Sequence, residues 1–292
     1  MVNELFDYPA YLSAKKSIDD RSLNRQVWST MCHWLEYRQT QKPGIKLLEI
    51  GAGIGTMIER IADEAIVKDF HYTAIEQEPG FRDYALQRLS ESQEYTLISK
   101  DQLWQLTTPN TTITIDWLSG DALDINQIVK ETDFDLVLSH AVIDLLPVPL
   151  FLPDLFKQLE PDGGYYFSLN FSGKTEFRPV HPDDETIYDA YHKDMDDRFN
   201  NIDWLPSRTG EILGEWLIEQ GHTVLATGPS DWRLASRDNE DDILFLENML
   251  QTIEKALQGL PCLESWLIER RRQLASKELS FTASNIDYFG LI

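Results

Sequence analysis

The stretch Leu47-Leu48-Glu49-Ile50-Gly51-Ala52-Gly53-Ile54-Gly55-Thr56 decides the fold of this 292-residue chain. A short apolar run leads into three glycines at alternate positions and then directly into an amphipathic segment. This pattern predicts a strand, a tight turn and a helix, because glycine lets the backbone turn sharply and approach a ligand with no Cβ in the way. The N–H groups at the helix start favour electronegative ligand atoms, so we predict a ligand-binding loop here.

Two other glycine-rich loops compete with this interpretation. The dinucleotide fingerprint requires a glycine three residues after its second glycine, and Thr56 stands at that position. A Walker A loop requires a Gly-Lys-Ser/Thr sequence, which does not follow. The spacing therefore disfavours a dinucleotide-dependent oxidoreductase and excludes a Walker A protein.

The segments around the loop alternate between strand and helix patterns. We predict strands at residues 46–50, 71–76, 113–118, 134–139, 164–171, 222–227 and 279–291. We predict helices at residues 56–66, 81–89, 149–159, 207–220, 241–257 and 263–275, after an N-terminal helix capped by Asp19 or Asp20. Such alternation predicts an α/β fold, with a mostly parallel sheet and helices on both of its faces.

Four segments in this order resemble the motifs of class I S-adenosylmethionine-dependent methyltransferases. They are Glu49 to Gly55, Glu76 at the end of the second strand, Gly120-Asp121-Ala122 after the third, and Phe134 to His140 at the fourth. The resemblance covers residues 44–171, and residues 280–290 resemble the seventh strand of that family. It implies a three-layer Rossmann-like sheet, mostly parallel with an antiparallel last strand, plus N-terminal helices and a helical insertion between the last two strands.

The resemblance also implies S-adenosyl-L-methionine as the cofactor. Glu76 would accept hydrogen bonds from both ribose hydroxyls, a bidentate fit that a carboxylate makes well; the alternative is an ordinary charge at a strand end. Asp121 would accept a hydrogen bond from the adenine amino group, and its alternative role is a helix N-cap. The cofactor-binding residues implied are Glu49, Gly51, Ala52, Gly53, Gly55, Glu76, Gln77, Asp121, Ala122, Ser139 and His140.

Methyl transfer from a sulfonium asks the protein mainly to position the nucleophile and, where the nucleophile is protonated, to remove a proton. His140 is the first candidate base, since ligands of open α/β sheets bind at the carboxyl ends of strands; the alternative is a packing histidine. Asp144 would orient His140 if the stretch is helical, and its alternative is a solvated loop charge. His181, Tyr188 and His192 lie in the connection that typically covers the acceptor site of this fold.

The chain divides into four predicted parts. These are an N-terminal helical cap (1–43), the cofactor-binding core (44–171), an acidic connection covering the substrate (172–206), and the rest of the sheet (207–292) with a helical insertion at 230–277. The insertion is interpreted as a dimer contact or a wall of the substrate pocket, although its apolar spacing is more often that of a plain core helix. Four residues of the cap are expected to close over the active site, namely Tyr8, Tyr11, Arg21 and Arg25. One of the arginines would pair with the cofactor carboxylate, and the alternative is a surface salt bridge.

Composition limits the partners. The chain has 26 Lys and Arg against 49 Asp and Glu, which gives a formal net charge of −23. A nucleic-acid binder usually shows a basic face, so we expect no nucleic-acid partner. Cys32 and Cys262 are too few for a zinc knuckle or a disulfide framework, and no recognised metal-ligand spacing is present, so we expect no metal.

The same reasoning favours a small-molecule acceptor. After the fourth strand the chain has neither the Pro-Pro-Tyr/Trp run nor the Pro-Cys pair of the DNA methyltransferases. The acidic run of Asp183, Asp184 and Glu185 favours a cationic acceptor such as an amine. A protein methyltransferase and a non-catalytic module that keeps the cofactor fold are the alternatives.

The cellular location is inferred from two further features. Glu4 and Asp7 precede every basic residue, which does not fit a signal peptide. The longest apolar stretch, residues 134–156, is broken by charged residues and prolines and is not expected to span a bilayer. We therefore expect a cytoplasmic protein with no membrane partner.

Overall fold

The structure, a computed structural model, describes residues 8–100, 103–199 and 201–292. The helices are α1 (Tyr8–Ser22), α2 (Arg25–Gln41), α3 (Thr56–Glu64), α4 (Pro79–Glu91), α5 (Ile125–Ile128), α6 (Val148–Phe156), α7 (Asp184–Asp196), α8 (Thr209–Glu219), α9 (Glu240–Ala256) and α10 (Leu263–Ala275). The strands are β1 (Ile45–Ile50), β2 (Asp69–Glu76), β3 (Thr96–Lys100), β4 (Leu103–Thr107), β5 (Thr112–Ser119), β6 (Phe134–His140), β7 (Leu159–Arg178), β8 (Thr223–Pro229), β9 (Trp232–Ala235) and β10 (Ser280–Leu291). The predictions on Glu4, Asp7 and the side chain of Tyr8 lie outside the described residues.

All ten strands form one sheet in the order β3-β4-β5-β2-β1-β6-β7-β10-β8, with β9 paired to β10. The five central strands, β5, β2, β1, β6 and β7, run parallel to one another. The last strand, β10, is antiparallel to both β7 and β8. The predicted α/β class, with a parallel centre and an antiparallel last strand, is confirmed.

Three buried clusters make up the hydrophobic core. The first packs α2, α3 and α4 against one face of the sheet, and the second packs α5, α6 and α8 against the other face. The third cluster joins α1, α7, α9 and α10 to the distal halves of β7 and β10. This third cluster lies beyond the three-layer core, and it shapes one end of the cavity described below.

The N-terminal helix cap differs from the prediction. Asp19 and Asp20 both lie inside α1, where they pair with Lys15 and Lys16 one turn earlier. The cap of the next helix is Asn24, whose side chain accepts hydrogen bonds from the backbone N–H groups of the two residues Gln26 and Val27. Asparagine caps a helix as well as aspartate does, so the capping pattern alone did not choose between them.

Several strands were not predicted. The antiparallel pair β3 and β4 extends the sheet beyond β5, and β9 adds a short strand to β10. Strand β7 continues to Arg178 because β10 pairs with it as far as Ser280. The stretch 172–206 therefore contains the end of β7 and helix α7. Of the helices described, none is long and apolar enough to cross a bilayer.

Candidate active site

A cavity of about 890 Å³ lies at the carboxyl ends of the parallel strands. The segments that follow β1, β2, β5 and β6 line it on one side. The rest is lined by α1, β7, α7, β9, α9 and β10, together with Arg198. Open α/β sheets bind their ligands at this edge, because the loops there diverge and leave a crevice. Small-molecule sites occupy roughly 300–1,000 Å³, so the cavity is large for a single ligand.

The glycine loop after β1 forms one wall of this cavity. Gly51, Gly53 and Gly55 all have left-handed backbone conformations, with φ of 67°, 54° and 75°. A Cβ added at Gly51 would lie 2.6 Å from a methyl carbon of Val142. The loop is held in place by the N–H of Ala52, which donates to the carbonyl of Ile75 at 3.0 Å. Gly51 is therefore required both by its backbone conformation and by the space available.

Glu76 ends β2 with a buried carboxylate that lines the cavity. Its Oε2 accepts a hydrogen bond from the backbone N–H of Gly53 at 2.8 Å, and its Oε1 accepts one from that of Glu78 at 2.9 Å. Each carboxylate oxygen has a second lone pair. Glu76 therefore fixes the glycine loop and can still accept hydrogen bonds from a pair of ligand hydroxyls.

Glu49 is a buried carboxyl on the same side of the cavity. Burial raises the pKa of Glu49 to about 7, and the nearby Glu76 carboxylate adds to this shift. The hydroxyl of Tyr72, which donates to Glu49 Oε2 at 2.7 Å, and the Arg60 guanidinium oppose the shift in pKa. Glu49 thus exchanges its proton near neutral pH at the edge of a ligand-binding cavity.

The other implied cofactor residues are distributed as follows. Asp121 caps a short 3-10 helix by accepting a hydrogen bond from the N–H of Leu123 at 2.9 Å, and Asp121 also lines the cavity. Ser139 is fully buried inside β6, and Gly55 precedes α3 as its N-cap residue. Ser139 and Gly55 do not line the cavity. The other implied residues do line it, and these are Glu49, Gly51, Ala52, Gly53, Glu76, Gln77, Asp121, Ala122 and His140.

His140, the first candidate base, has both ring nitrogens occupied. Its Nδ1 lies 2.7 Å from the Ser168 hydroxyl, and its Nε2 lies 3.0 Å from Asp19 Oδ2. Burial lowers the pKa of His140 to about 4, with the Arg60 guanidinium adding to the shift and Asp19 opposing it. The ring is therefore neutral. Because Asp19 Oδ2 can only accept, Nε2–H donates to it and Ser168 donates to Nδ1, while Arg60 Nη1 lies 3.3 Å from Nε2.

The carboxylate that orients His140 is therefore Asp19, and not Asp144 as the sequence suggested. Besides His140, Asp19 accepts hydrogen bonds from Lys15 Nζ at 2.6 Å and from Trp232 Nε1 at 2.9 Å. Burial by itself would raise the pKa of Asp19, but the Lys15 ammonium and the His140 hydrogen bond hold it well below its usual range. Asp19 thus ties α1 to the ends of β6 and β9.

Asp144 also lines the cavity, from the short 3-10 helix Ile143–Leu145. Its Oδ1 is buried and has no hydrogen-bond partner among the residues that the structure describes. Burial raises the pKa of Asp144 to about 6, while the positive charges of Lys15 and Arg198 oppose that shift. A buried carboxyl in a cavity, with one oxygen unpartnered and a raised pKa, is a candidate general base.

The cations that line the cavity are not the predicted arginines. Arg21 pairs with Asp242, and Arg25 is exposed, so neither reaches the cavity. Among the described residues, the basic side chains that line it are those of Lys15 and Arg198. Of the predicted closing residues in the N-terminal cap whose side chains the structure describes, Tyr11 lines the cavity and Arg21 and Arg25 do not.

The predicted acidic covering cluster lies away from the cavity. None of Asp183, Asp184 and Glu185 is a lining residue. Asp184 instead pairs with the buried guanidinium of Arg270 and accepts a hydrogen bond from Trp266 Nε1 at 2.8 Å. These carboxylates give no support to a cationic acceptor, because they lie at the start of α7 and outside the cavity lining, where Asp184 holds α7 against α10.

The helical insertion contributes one wall of the cavity. Helix α9 lines the cavity through Asn248, Met249 and Thr252. Strand β7 lines it through Leu169, Phe171 and Thr175, and strand β10 through Phe281, Ala283 and Asn285. The apolar spacing of α9 indicated only a core helix, since one face of the helix does pack in the third cluster.

The fold and this site define a class I, Rossmann-like, S-adenosylmethionine-dependent methyltransferase. A family model described as "Putative S-adenosyl-L-methionine-dependent methyltransferase" matches residues 28–211, more than half of the chain. The chain belongs to this family, and its cofactor is S-adenosyl-L-methionine.

Solved structures of methyltransferases are similar to the chain. The structure of an S-adenosylmethionine-dependent methyltransferase from Thiobacillus denitrificans, in complex with S-adenosyl-L-homocysteine, has 15% identity and a TM-score of 0.44, with 91% of this chain and 92% of that chain covered. A second such complex, from Geobacter sulfurreducens, has 14% identity and a TM-score of 0.45, with 93% and 92% covered. A search of curated proteins gave no match.

Proposed function

We propose that this methyltransferase acts on a small molecule bound between β7, β10 and α9, in what we term the acceptor part of the cavity. The observation that carries this proposal is the continuity of the cavity, which runs from the glycine loop to α9. Its volume of about 890 Å³ is near the upper end of the usual range of roughly 300–1,000 Å³, which suits a cofactor and an acceptor side by side.

The residues around the glycine loop fit the cofactor. A Cβ at Gly51 would fill the cradle, and Glu76 has lone pairs free for the ribose hydroxyls. Asp121 would accept from the adenine amino group with the carboxylate oxygen that does not cap the helix. When bound, S-adenosyl-L-methionine supplies a methyl group activated by a positively charged sulfur.

Asp144 is the residue that we assign as general base for an acceptor that carries a proton. Its unpartnered Oδ1 would take the proton from an acceptor O–H or N–H as the acceptor atom gains the methyl group. His140 has a different role in this proposal, because both of its nitrogens are occupied. Through Asp19 and Ser168 it positions the end of β6, next to the segment that carries Asp144.

A first experiment tests the acceptor class and Asp144 together. Purified protein is screened against small-molecule acceptors by release of S-adenosyl-L-homocysteine. With the best acceptor, kcat/KM for that acceptor is followed from pH 5 to 9 at saturating S-adenosyl-L-methionine. The wild-type value should rise with pH through about 6, since Asp144 accepts a proton only when ionised. Asp144→Asn should lower kcat by about 10²–10⁴-fold and remove this pH dependence.

The control is Asp183→Asn, which changes an acidic residue outside the cavity and should leave the profile unchanged. Binding of S-adenosyl-L-homocysteine to Asp144→Asn should match the wild type. An unchanged kcat in that variant would remove Asp144 from the chemistry. Methylation of peptides alone, with no small molecule accepted, would refute the small-molecule proposal.

A further inference from the structure

Asn285 is a fully buried amide that lines the cavity. Its Nδ2 faces two backbone carbonyls, those of Ala283 at 3.4 Å and Ser230 at 3.5 Å. Its Oδ1 has no hydrogen-bond partner among the described residues. The two carbonyls fix the amide orientation, because the reverse orientation would place Oδ1 against two other oxygens.

Asn285 lies in the acceptor part of the cavity and not beside the glycine loop. Its strand, β10, is separated from β1 by β6 and β7. At about 4.8 Å between strands, this places Asn285 about 14 Å across the sheet from the loop. Phe281, Ala283 and Asn285 alternate along β10 and so share one face, with Phe171 directly opposite Asn285 on β7.

The charged groups near Asn285 are paired with one another. The backbone N–H of Asn285 donates to Asp231, which pairs with Arg233, and Lys15 beside Trp232 pairs with Asp19. In the described ranges, the side chains that line the cavity from β7, β9, β10 and α9 include no carboxylate, ammonium or guanidinium. Large apolar side chains are contributed by Phe171, Trp232, Met249 and Phe281. A cationic ligand group would find no free carboxylate here, since Asp19 and Asp231 are already paired, and burying an unpaired charge is very costly.

We propose that Asn285 is a specificity-determining residue that accepts a hydrogen bond from an N–H or O–H group of the acceptor. The acceptor is an uncharged, largely apolar molecule whose body packs against Phe171 and Phe281. A buried oxygen without a donor is costly, so a ligand that supplies the donor is favoured over one that lacks it. This inference rests on the proposed function, since it assumes that the acceptor part holds the substrate.

Asn170 provides a matched control on the neighbouring strand. It is also fully buried, its Nδ2 donates to the carbonyls of Phe167 at 3.0 Å and Ile286 at 2.8 Å, and its Oδ1 also lacks a described partner. Unlike Asn285, it does not line the cavity. Asn170→Leu and Asn285→Leu therefore each remove two amide–carbonyl contacts within the protein, but of the two residues only Asn285 lines the cavity.

The test measures binding and needs no turnover. Dissociation constants of matched fragment pairs, phenol with anisole and indole with 1-methylindole, are measured by ligand-observed NMR on protein saturated with S-adenosyl-L-homocysteine. In the wild type and in Asn170→Leu, the donor-bearing fragment of each pair should bind about five- to tenfold more tightly than its methylated partner. In Asn285→Leu this preference should disappear, while the affinity for S-adenosyl-L-homocysteine is retained.

Asn285→Asp is a second variant that keeps an oxygen facing the cavity. Its protonated oxygen can donate to the same two carbonyls, so the variant should keep the preference for donors. The wild type should reject benzylammonium. Three results would overturn the role of Asn285. They are equal affinities of the wild type for the two fragments of each pair, an unchanged preference for the donor-bearing fragment in Asn285→Leu, and no binding of any fragment. These outcomes differ from failure of the proposed function, which would appear as methylation of peptides alone.

Discussion

Burial sets the protonation states of the residues around the cavity. It raises the pKa of Glu49 to about 7 and those of Asp144 and Asp287 to about 6. The same cause lowers the pKa of His140 to about 4. Burial disfavours the charged form in each case, so acids and bases shift in opposite directions. Near neutral pH the imidazole is therefore neutral, and Glu49 is close to its midpoint.

At the scale of one residue, we expect the protonation of Glu49 to control cofactor affinity. The amino group of S-adenosyl-L-homocysteine is cationic and favours the ionised carboxylate. Below pH 7 binding must therefore release the Glu49 proton, and the affinity should rise up to tenfold per pH unit until it levels off above about pH 7. Calorimetric titration from pH 5.5 to 8.5, in buffers of different ionisation enthalpy, measures both the affinity and the proton release.

Two variants separate this effect from the other groups that titrate in that range. Glu49→Gln should bind S-adenosyl-L-homocysteine more weakly at pH 8, with little change between pH 6 and 8. Asp144→Asn should keep the wild-type pH dependence of binding. A Glu49→Gln titration that retains the wild-type slope would show that another group binds the proton.

At the scale of an element, the glycine loop combines two separate constraints. Gly51 and Gly53 both have left-handed backbones, but their surroundings differ. A Cβ at Gly51 would lie 2.6 Å from Val142, whereas a Cβ at Gly53 would meet only a methyl carbon of Leu12 at 3.8 Å. Alanine at Gly53 therefore adds backbone strain alone, and alanine at Gly51 adds strain and a close contact.

This difference predicts the outcome of a double-mutant cycle. Gly53→Ala should lower the free energy of unfolding by about 1–2 kcal/mol, from the left-handed conformation alone. Gly51→Ala should cost more, and Val142→Ala should recover only the excess. Urea denaturation of the single and double variants measures these values. Equal rescue of both glycine variants by Val142→Ala would contradict the contact at Gly51.

At the scale of the whole molecule, the net charge of −23 is the dominant electrostatic feature. Like charges repel one another in the compact state, and salt screens this repulsion over a Debye length of about 10 Å at 0.1 M. We therefore expect the melting temperature to rise when KCl is increased from 20 to 200 mM. Repeating the measurement with NaCl and tetramethylammonium chloride separates screening from binding of one particular cation. A melting temperature that falls with salt would mean that attractive ion pairs outweigh the repulsion.

The third hydrophobic cluster is also a property of the whole molecule. It joins the N-terminal helix α1 to α9 of the insertion and to the extended ends of β7 and β10. These segments are far apart in the sequence. Each has an amphipathic pattern, and that pattern is the same whether its apolar face packs in the core or lines a cavity. Their meeting produces the acceptor part of the cavity.

The sequence by itself determined the parallel centre of the sheet, the glycine loop, and the positions of Glu76 and Asp121 next to it. These features depend on alternating apolar segments, on glycine in a tight turn and on strand ends, all of which are encoded within a few neighbouring residues. Only the tertiary structure decided that Asp19 orients His140 across 121 positions, that the acidic run stays away from the cavity, and that Asn285 lines it without a partner. The physical reason is that burial, hydrogen-bond partners and pKa shifts arise from contacts between distant segments, which no local pattern of residues records.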